Sequence, residues 1–388
     1  MKEKFLNFVI IFLLTILLVN MFSGNKENTK DVGLLVFKMQ KSSYTIPASP
    51  ILTITNNTST GVVFNTCTDL VVNYLGEKVN FPKEFCKDIE VKSNTKQNIE
   101  FNKYYKDFSN VGIYNFLIKV DNKDYITQTE VSNKGVISKI FVGLFYAPLY
   151  NLTIFFLKLF NNSLGWAIIA ITIIIRLLLV YPQHKMMVSQ RKLQAIQPKI
   201  KAIQEKHKGN PQVLGVEMMK LYKDENVNPF GSCGLLLIQM PILLVIYRIF
   251  INIKDYSNVY YVYNVLGTYN LDGIAHNFFG IDLLGVGGLT GIILGLLIAI
   301  IQFIQVKLSL IHTNQNKTGV VLEKKKDAKD YQSFMPDPEF LNKFMLYGLP
   351  AMVGVFTYSL LAGVGIYWGI STTFTIIQQL IVNKIVKK

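Results

Sequence analysis

The stretch Leu164-Gly-Trp-Ala-Ile-Ile-Ala-Ile-Thr-Ile-Ile-Ile-Arg-Leu-Leu-Leu-Val-Tyr-Pro182 decides how this chain is read. A helix needs about 20 apolar residues, at about 1.5 Å each, to cross the hydrocarbon of a bilayer. This run has that length, and Arg176 is its sole charge. On a helix Arg176 stands about 15 Å from Trp166 and about 8 Å from Tyr181, well inside the apolar zone. Placing an arginine there costs about 2.5–3.5 kcal/mol on the insertion scale, and such a group normally faces a cavity or a partner. Thr172, four residues earlier, shares its helical face.

The rest of the composition agrees. Half of the 388 residues are apolar and only 17% are charged, against about 25% in an ordinary soluble domain. The net charge is nevertheless +15. Residues 23–138 hold 14 lysines against 12 acids, so the basic excess belongs to residues 139–388, with 24 basic residues against 12 acids. Basic residues lying between oily runs point to membrane topology before nucleic-acid binding.

Five apolar spans are expected near 164–182, 232–252, 283–306, 343–359 and 362–383, the last two forming a tight hairpin near Ala362-Gly363. A further apolar run, Phe5 to Phe22, follows Lys2 and Lys4 and lacks a small-residue cleavage site, which predicts an uncleaved anchor over 1–22. With six spans, the lysine-rich loops 183–229 and 307–343 and the tail Lys384, Lys387 and Lys388 fall on the side of the N-terminus. The loop 253–282 has only Lys254. That distribution obeys the positive-inside rule and places both termini in the cytoplasm.

Residues 23–137 have another character. Short β-rich runs such as 50–55, 61–64, 70–74 and 113–120 alternate with turn signals such as Asn56-Asn57 and Asp121-Asn122. Strands at this spacing predict one all-β, sandwich-like domain on the exported side. Cys67 and Cys86 lie in it; if exported they can form a disulfide, and two free buried thiols are the alternative. Residues 138–162 alternate Ile140, Leu144, Ile154 and Leu159 with Lys139, Asn151 and Lys158, which predicts an interfacial amphipathic helix broken at Pro148.

The loop 183–229 reads as a basic helical hairpin: Lys185 to Lys206, a break at His207–Pro211, and a second arm from Gln212 to Tyr222. Polar residues inside the spans are Gln239, Gln302, Gln305, Thr372, Thr373, Gln378 and Gln379, candidates for contacts between helices. No span offers Arg176 an obvious acidic partner, which suggests that it is unpaired and faces a wet cavity; snorkelling to the cytoplasmic headgroups is the alternative. The sequence contains no HExxH, P-loop, GxGxxG or GxSxG, and no metal-ligand spacing, so no catalytic or metal residues are assigned and an enzyme is not expected.

Arg176 to Pro182, Gln197-Pro198-Lys199, Leu221-Tyr222-Lys223, Asn228-Pro229 to Cys233, Gln239-Met240-Pro241, Tyr347 to Pro350, and Ile366 to Ser371 with Gln378-Gln379 fall in order along residues 138–385. Together they resemble the YidC/Oxa/Alb family of membrane protein insertases. The resemblance implies an α-helical integral membrane protein with a five-helix core over 138–388, an added N-terminal anchor helix and an exported β domain. It implies a groove open to cytoplasm and lipid, in which Arg176, Thr172, Gln239, Gln305 and Trp368 meet substrate. Leu236, Met240, Met352 and Phe356 would then form a hydrophobic slide for the incoming helix. The implied partners are nascent membrane proteins, the Sec translocon (SecYEG and SecDF), the ribosome and signal recognition particle pathway, and membrane lipid of a bacterial inner membrane, with no cofactor. Two rival functions remain on the sequence: a small-solute transporter or channel, and an anchored receptor working through its β domain.

Overall fold

A computed structural model describes residues 34–207, 210–227, 231–310 and 343–386, and for residues 211, 231–238, 310, 385 and 386 the backbone alone. The expected anchor over 1–22, most of the loop 307–343, Asn228-Pro229, Lys387 and Lys388 lie outside the described residues. So do the side chains of Leu236 and Cys233. The chain divides into two compact units, Met1–Asn133 and Lys134–Lys388.

The first unit is β-rich. Its strands are β1 (Leu35–Met39), β2 (Ser43–Thr45), β3 (Ile51–Asn56), β4 (Val62–Asn65), β5 (Leu70–Tyr74), β6 (Glu77–Lys78), β7 (Asp88–Val91), β8 (Thr95–Glu100), β9 (Gly112–Val120) and β10 (Lys123–Ser132). They form sheets ordered β1-β3-β8, β2-β10-β9-β5-β6 and β4-β7. Along β9, Tyr114, Phe116, Ile118 and Val120 are buried and the residues between them are less so, the period-two pattern of a half-buried strand. Asp121 and Asn122, both with positive φ, close the β9–β10 hairpin, as expected of a two-residue turn of the primed type. Leu52, Ile54, Phe64, Phe101, Phe108 and Phe116 fill one core. Asn56, fully buried within it, donates to the carbonyls of Thr60 (2.9 Å) and Val91 (3.0 Å).

Cys67 and Cys86 are joined by a disulfide, 19 residues apart in the chain. Closing a loop of that size removes unfolded-chain entropy equivalent to about 3 kcal/mol. Cys67→Ser with Cys86→Ser is therefore expected to lower the urea midpoint of this unit in the full chain, read by pulse proteolysis in detergent. An unchanged midpoint would mean that the bridge constrains nothing.

The second unit is helical. Its helices are α1 (Val136–Leu159), α2 (Leu164–Ala195), α3 (Gln197–Lys206), α4 (Pro211–Asp224), α5 (Gly231–Ile251), α6 (Gly288–Leu310), α7 (Phe344–Ser359) and α8 (Ala362–Val386). Three expectations need correction. First, α1 is not broken at Pro148. A π turn over Val142–Tyr146 precedes the proline and absorbs its missing hydrogen bond within a continuous helix. Second, α2 runs through Pro182 to Ala195, so the first arm of the hairpin is largely the extension of α2, followed by the short α3. Third, the span expected from 283 begins at Gly288, because Gly287 and Gly288 both take positive φ in the preceding turn.

Among the described residues, three helices are long and apolar enough to cross a membrane: Val136–Leu159, Leu164–Ala195 and Gly288–Ser309. Gln239–Ile251 and Phe344–Ser359 are shorter apolar helices. The core of the unit gathers Tyr150, Ile154 and Leu157 of α1, Leu164, Ile168 and Ile171 of α2, Val245, Ile249 and Phe250 of α5, and Val364 and Tyr367 of α8. α6 and α7 approach backbone to backbone at Gly295 and Gly354. The α3–α4 hairpin has its own small core of Ile196, Ile200, Met218 and Val227, with Lys199 and Glu225 ion-paired on its surface.

Between α5 and α6 a small hairpin, β11 (Asn277–Phe278) with β12 (Ile281–Asp282), packs Phe278 edge-on against Trp166, 5.4 Å between ring centres. His276 Nδ1 and Asp282 Oδ1 close its base at 2.7 Å. The hydrogen bond from His276, reinforced by the backbone N–H groups of Leu284 and Gly285, holds the Asp282 carboxyl below its ordinary range. A carboxyl with a depressed folded-state pKa contributes stability above its unfolded pKa of about 3.9 and loses it as pH falls through the folded value. In a Trp368→Phe background, Trp166 fluorescence is expected to report loosening of this hairpin below about pH 4. Asp282→Asn should remove that acid step, and a step that persists unchanged would place the titrating group elsewhere.

Candidate functional site

The site is built around Arg176. The residue is 5% exposed, although it lies in the middle of a long apolar helix. Gln239 of α5 accepts a hydrogen bond from it at 2.9 Å through Oε1, and Ser371 of α8 accepts another from the same nitrogen. Gln239 in turn donates through Nε2 to the Tyr367 hydroxyl at 3.3 Å. One cation thus ties together α2, α5 and α8.

The sequence placed Arg176 deep in a span and found it no acid, and the described residues show no carboxylate paired with it. It is not without partners, however. Two neutral oxygens satisfy part of its donor fork and neutralise none of its charge. A buried cation held by neutral groups projects a positive potential into surroundings of low dielectric, where an approaching carboxylate is strongly attracted.

α8 explains why such a group is tolerated. Ser371, Thr372, Thr375, Gln378 and Gln379 are all buried, while Ile377, Leu380 and Ile381 of the same helix are exposed. Between Ser371 and Ile381 the helix therefore turns most of its polar residues inward, Thr373 excepted, and apolar ones outward, the reverse of a soluble amphipathic helix. The exterior of α6 follows suit: Leu289, Ile293, Leu296 and Ile300 are each more than half exposed. Polar groups facing the bundle interior behind an apolar exterior are the arrangement expected of helices in lipid.

The other residues singled out in the sequence fall as follows. Thr172 is fully buried, and its hydroxyl donates to its own helix at Ile168 O, 2.6 Å away. It is not among the hydrogen-bond partners of Arg176. Gln305 accepts from Gln302 at 3.0 Å, and Gln302 Oε1 accepts a long contact from Thr372 at 3.5 Å. Gln305 is thus joined to α8 one residue beyond Ser371. Trp368 is half-buried beside Tyr367 and is not among the hydrogen-bond partners of Arg176. Met240 is exposed, and Met352 and Phe356 are half-buried. Sequence reasoning missed Tyr367 and Ser371. Their signal was their spacing of four on α8, which puts both on one helical face.

Comparison with known proteins adds the following. The family described as "60Kd inner membrane protein" matches residues 155–388. A protein of Wolinella succinogenes named "Membrane protein insertase YidC" is 32% identical over 260 residues, covering 67% of this chain and 40% of that protein. "Membrane protein insertase YidC 1" of Halalkalibacterium halodurans is 29% identical over 243 residues, covering 62% of this chain and 77% of that protein. "Membrane protein insertase YidC" of Clostridium tetani is 48% identical over 103 residues, covering 26% of this chain and 47% of that protein. The chain thus spans about two fifths of the length of the Wolinella relative.

Proposed function

This chain belongs to the 60Kd inner membrane protein family, and on that premise we propose that it inserts nascent integral membrane proteins into a bacterial inner membrane and helps them fold. In this reading α2, α5, α6, α7 and α8 are the five-helix core, α1 lies along the interface, and residues 1–22 add an anchor. The β unit is exported, and both termini and the α3–α4 hairpin are cytoplasmic. The polar seam between α2, α5 and α8 is the groove, open to cytoplasm and lipid. Arg176 draws acidic or polar residues of the incoming chain into it, with Gln239, Ser371 and Tyr367 holding the guanidinium in place and Thr172, Gln305 and Trp368 on the groove wall. Leu236, Met240, Met352 and Phe356 form the slide along which an apolar segment leaves for lipid. Release is driven by burial of apolar surface, at about 0.8 kcal/mol per CH₂, so the protein needs no cofactor or energy-consuming site. The protein inserts its clients alone or together with the Sec translocon, SecYEG and SecDF, and receives them through the ribosome and signal recognition particle pathway.

The observation that carries the reading is the buried Arg176 held by neutral acceptors from two neighbouring helices. A small-solute transporter or channel is the rival. Reconstitution of the full chain alone in liposomes separates the two. The expected result is protease protection of a single-span substrate above that in empty liposomes, with no added solute flux. Solute flux without insertion would overturn the proposal.

A further inference from the structure

At the end of the helical unit where α1 begins and α5 finishes, two cations meet without an acid. Lys134 Nζ donates to the Tyr261 hydroxyl and stands 4.8 Å from the centre of the same ring. The Arg248 guanidinium stands 5.9 Å from the centre of the Tyr146 ring. Tyr146 and Tyr261 pack edge to face at 5.4 Å, so the cations sit on adjoining rings. The rings are pinned in turn. Tyr146 donates to Asn258 Oδ1 at 3.0 Å, and Asn151 donates to Tyr261 O at 2.7 Å while accepting from Tyr263 N at 2.7 Å. This is a rigid platform on which like charges are held together.

Among the described residues neither cation has a carboxylate partner. The neighbouring acid, Asp255, is engaged in capping the next turn, accepting from Ser257 N at 2.9 Å. Burial, with the charge of Arg248 added, lowers Lys134 to about 8, so two cations this close are electrostatically frustrated near neutral pH. An anion between the two cations relieves that frustration. The surroundings say which anion. Ile137, Ile140 and Leu144 on the first turns of α1 are exposed and apolar, and Tyr260 and Tyr263 are exposed beside the platform. Exposed aromatic and aliphatic side chains around a cationic centre are the environment of a lipid headgroup at a membrane surface.

We propose that Lys134 and Arg248 clamp the phosphate of an anionic phospholipid, with its acyl chains along the exposed face of α1. The proposal needs the helical unit to lie in a membrane, and it is independent of the insertase reading.

The test follows the reactivity of Lys134. The full chain is placed in nanodiscs of phosphatidylcholine or of phosphatidylglycerol and acetylated briefly near neutral pH. Lys134 modification is read by peptide mass spectrometry as a ratio to the exposed Lys139, which cancels the general surface potential. Each unit by which a bound anion raises the Lys134 pKa slows acetylation about tenfold, so a fall of about tenfold or more is expected in phosphatidylglycerol. Arg248→Gln should bring the two lipids to nearly the same ratio. Equal ratios in both lipids for the unaltered chain would overturn the clamp, as would full protection persisting in Arg248→Gln. Equal protection by millimolar inorganic phosphate in phosphatidylcholine discs would overturn the lipid assignment.

Discussion

Arg176→Ala is expected to reduce insertion of a short-tailed acidic substrate by about tenfold or more, in cells depleted of their own insertase and complemented with the variant. Two unit charges about 4 Å apart at an effective dielectric of about 20 attract by on the order of 4 kcal/mol. If a third of that attraction acts in the rate-limiting step, the loss is about a factor of ten. Arg176→Lys should fall between. It keeps the charge but not the planar fork that reaches Gln239 and Ser371 together. A substrate with a neutral tail separates the charge effect from damage to the fold. Alanine leaves the Gln239 and Ser371 oxygens without their donor, a loss of about 1–3 kcal/mol that lowers the amount of protein for every substrate alike. If alanine and lysine both insert the acidic substrate at the normal rate, attraction by Arg176 is not the mechanism.

The second large effect is expected at the α6–α7 seam. A methyl group added at Gly295 would stand 2.7 Å from the carbonyl oxygen of Gly354, and one added at Gly354 would stand 2.9 Å from that of Gly295 and 3.1 Å from the Ala299 methyl. The oxygens are backbone on both sides and cannot swing away, so the helices must separate. Overpacking of this kind costs about 1–3 kcal/mol. Gly295→Ala and Gly354→Ala are each expected to lower the thermal midpoint of the detergent-solubilised chain by several degrees. They should also impair insertion, because Met352 and Phe356 ride on the helix that is displaced. Gly215→Ala, where nothing lies within 4 Å, is the control and is expected to be neutral or mildly stabilising. Unchanged midpoints for both seam variants would mean that the helices do not pack there.

The same two sites show how unevenly the structure was legible. Arg176 is plain in the sequence, because one charge in a long apolar run has few explanations. Gln239 stands out as a polar residue in a span, but nothing local says that it faces Arg176 across 63 residues of chain. Ser371 and Tyr367 do not stand out, because each residue alone is ordinary in a helix. Only the stripe they begin, continuing through Thr375 and Gln379, marks an inward polar face. Gly295 and Gly354 carry no sequence signal of pairing, since close approach depends on both helices at once. In the β unit, β5 and β9 were legible from alternation and flanking turns. β8, reading Thr-Lys-Gln-Asn-Ile-Glu with only Ile99 buried, gives no such pattern and owes its pairing to β3. A proline is a poor guide to where these helices stop: the chain stays helical through Pro148, behind a π turn, and through Pro182, where the span alone was expected to end.

The most direct test of the account is where a nascent membrane segment touches the protein. A photo-crosslinking amino acid is placed at Met240 or Trp368, beside the polar seam, and at Ile292, on the exposed face of α6. Each variant is exposed to ribosome-bound chains stalled as their first apolar segment emerges. The account predicts adducts from positions 240 and 368 that appear with the apolar segment, and few or none from 292. Adducts of equal yield at all three positions, or at 292 alone, would contradict it.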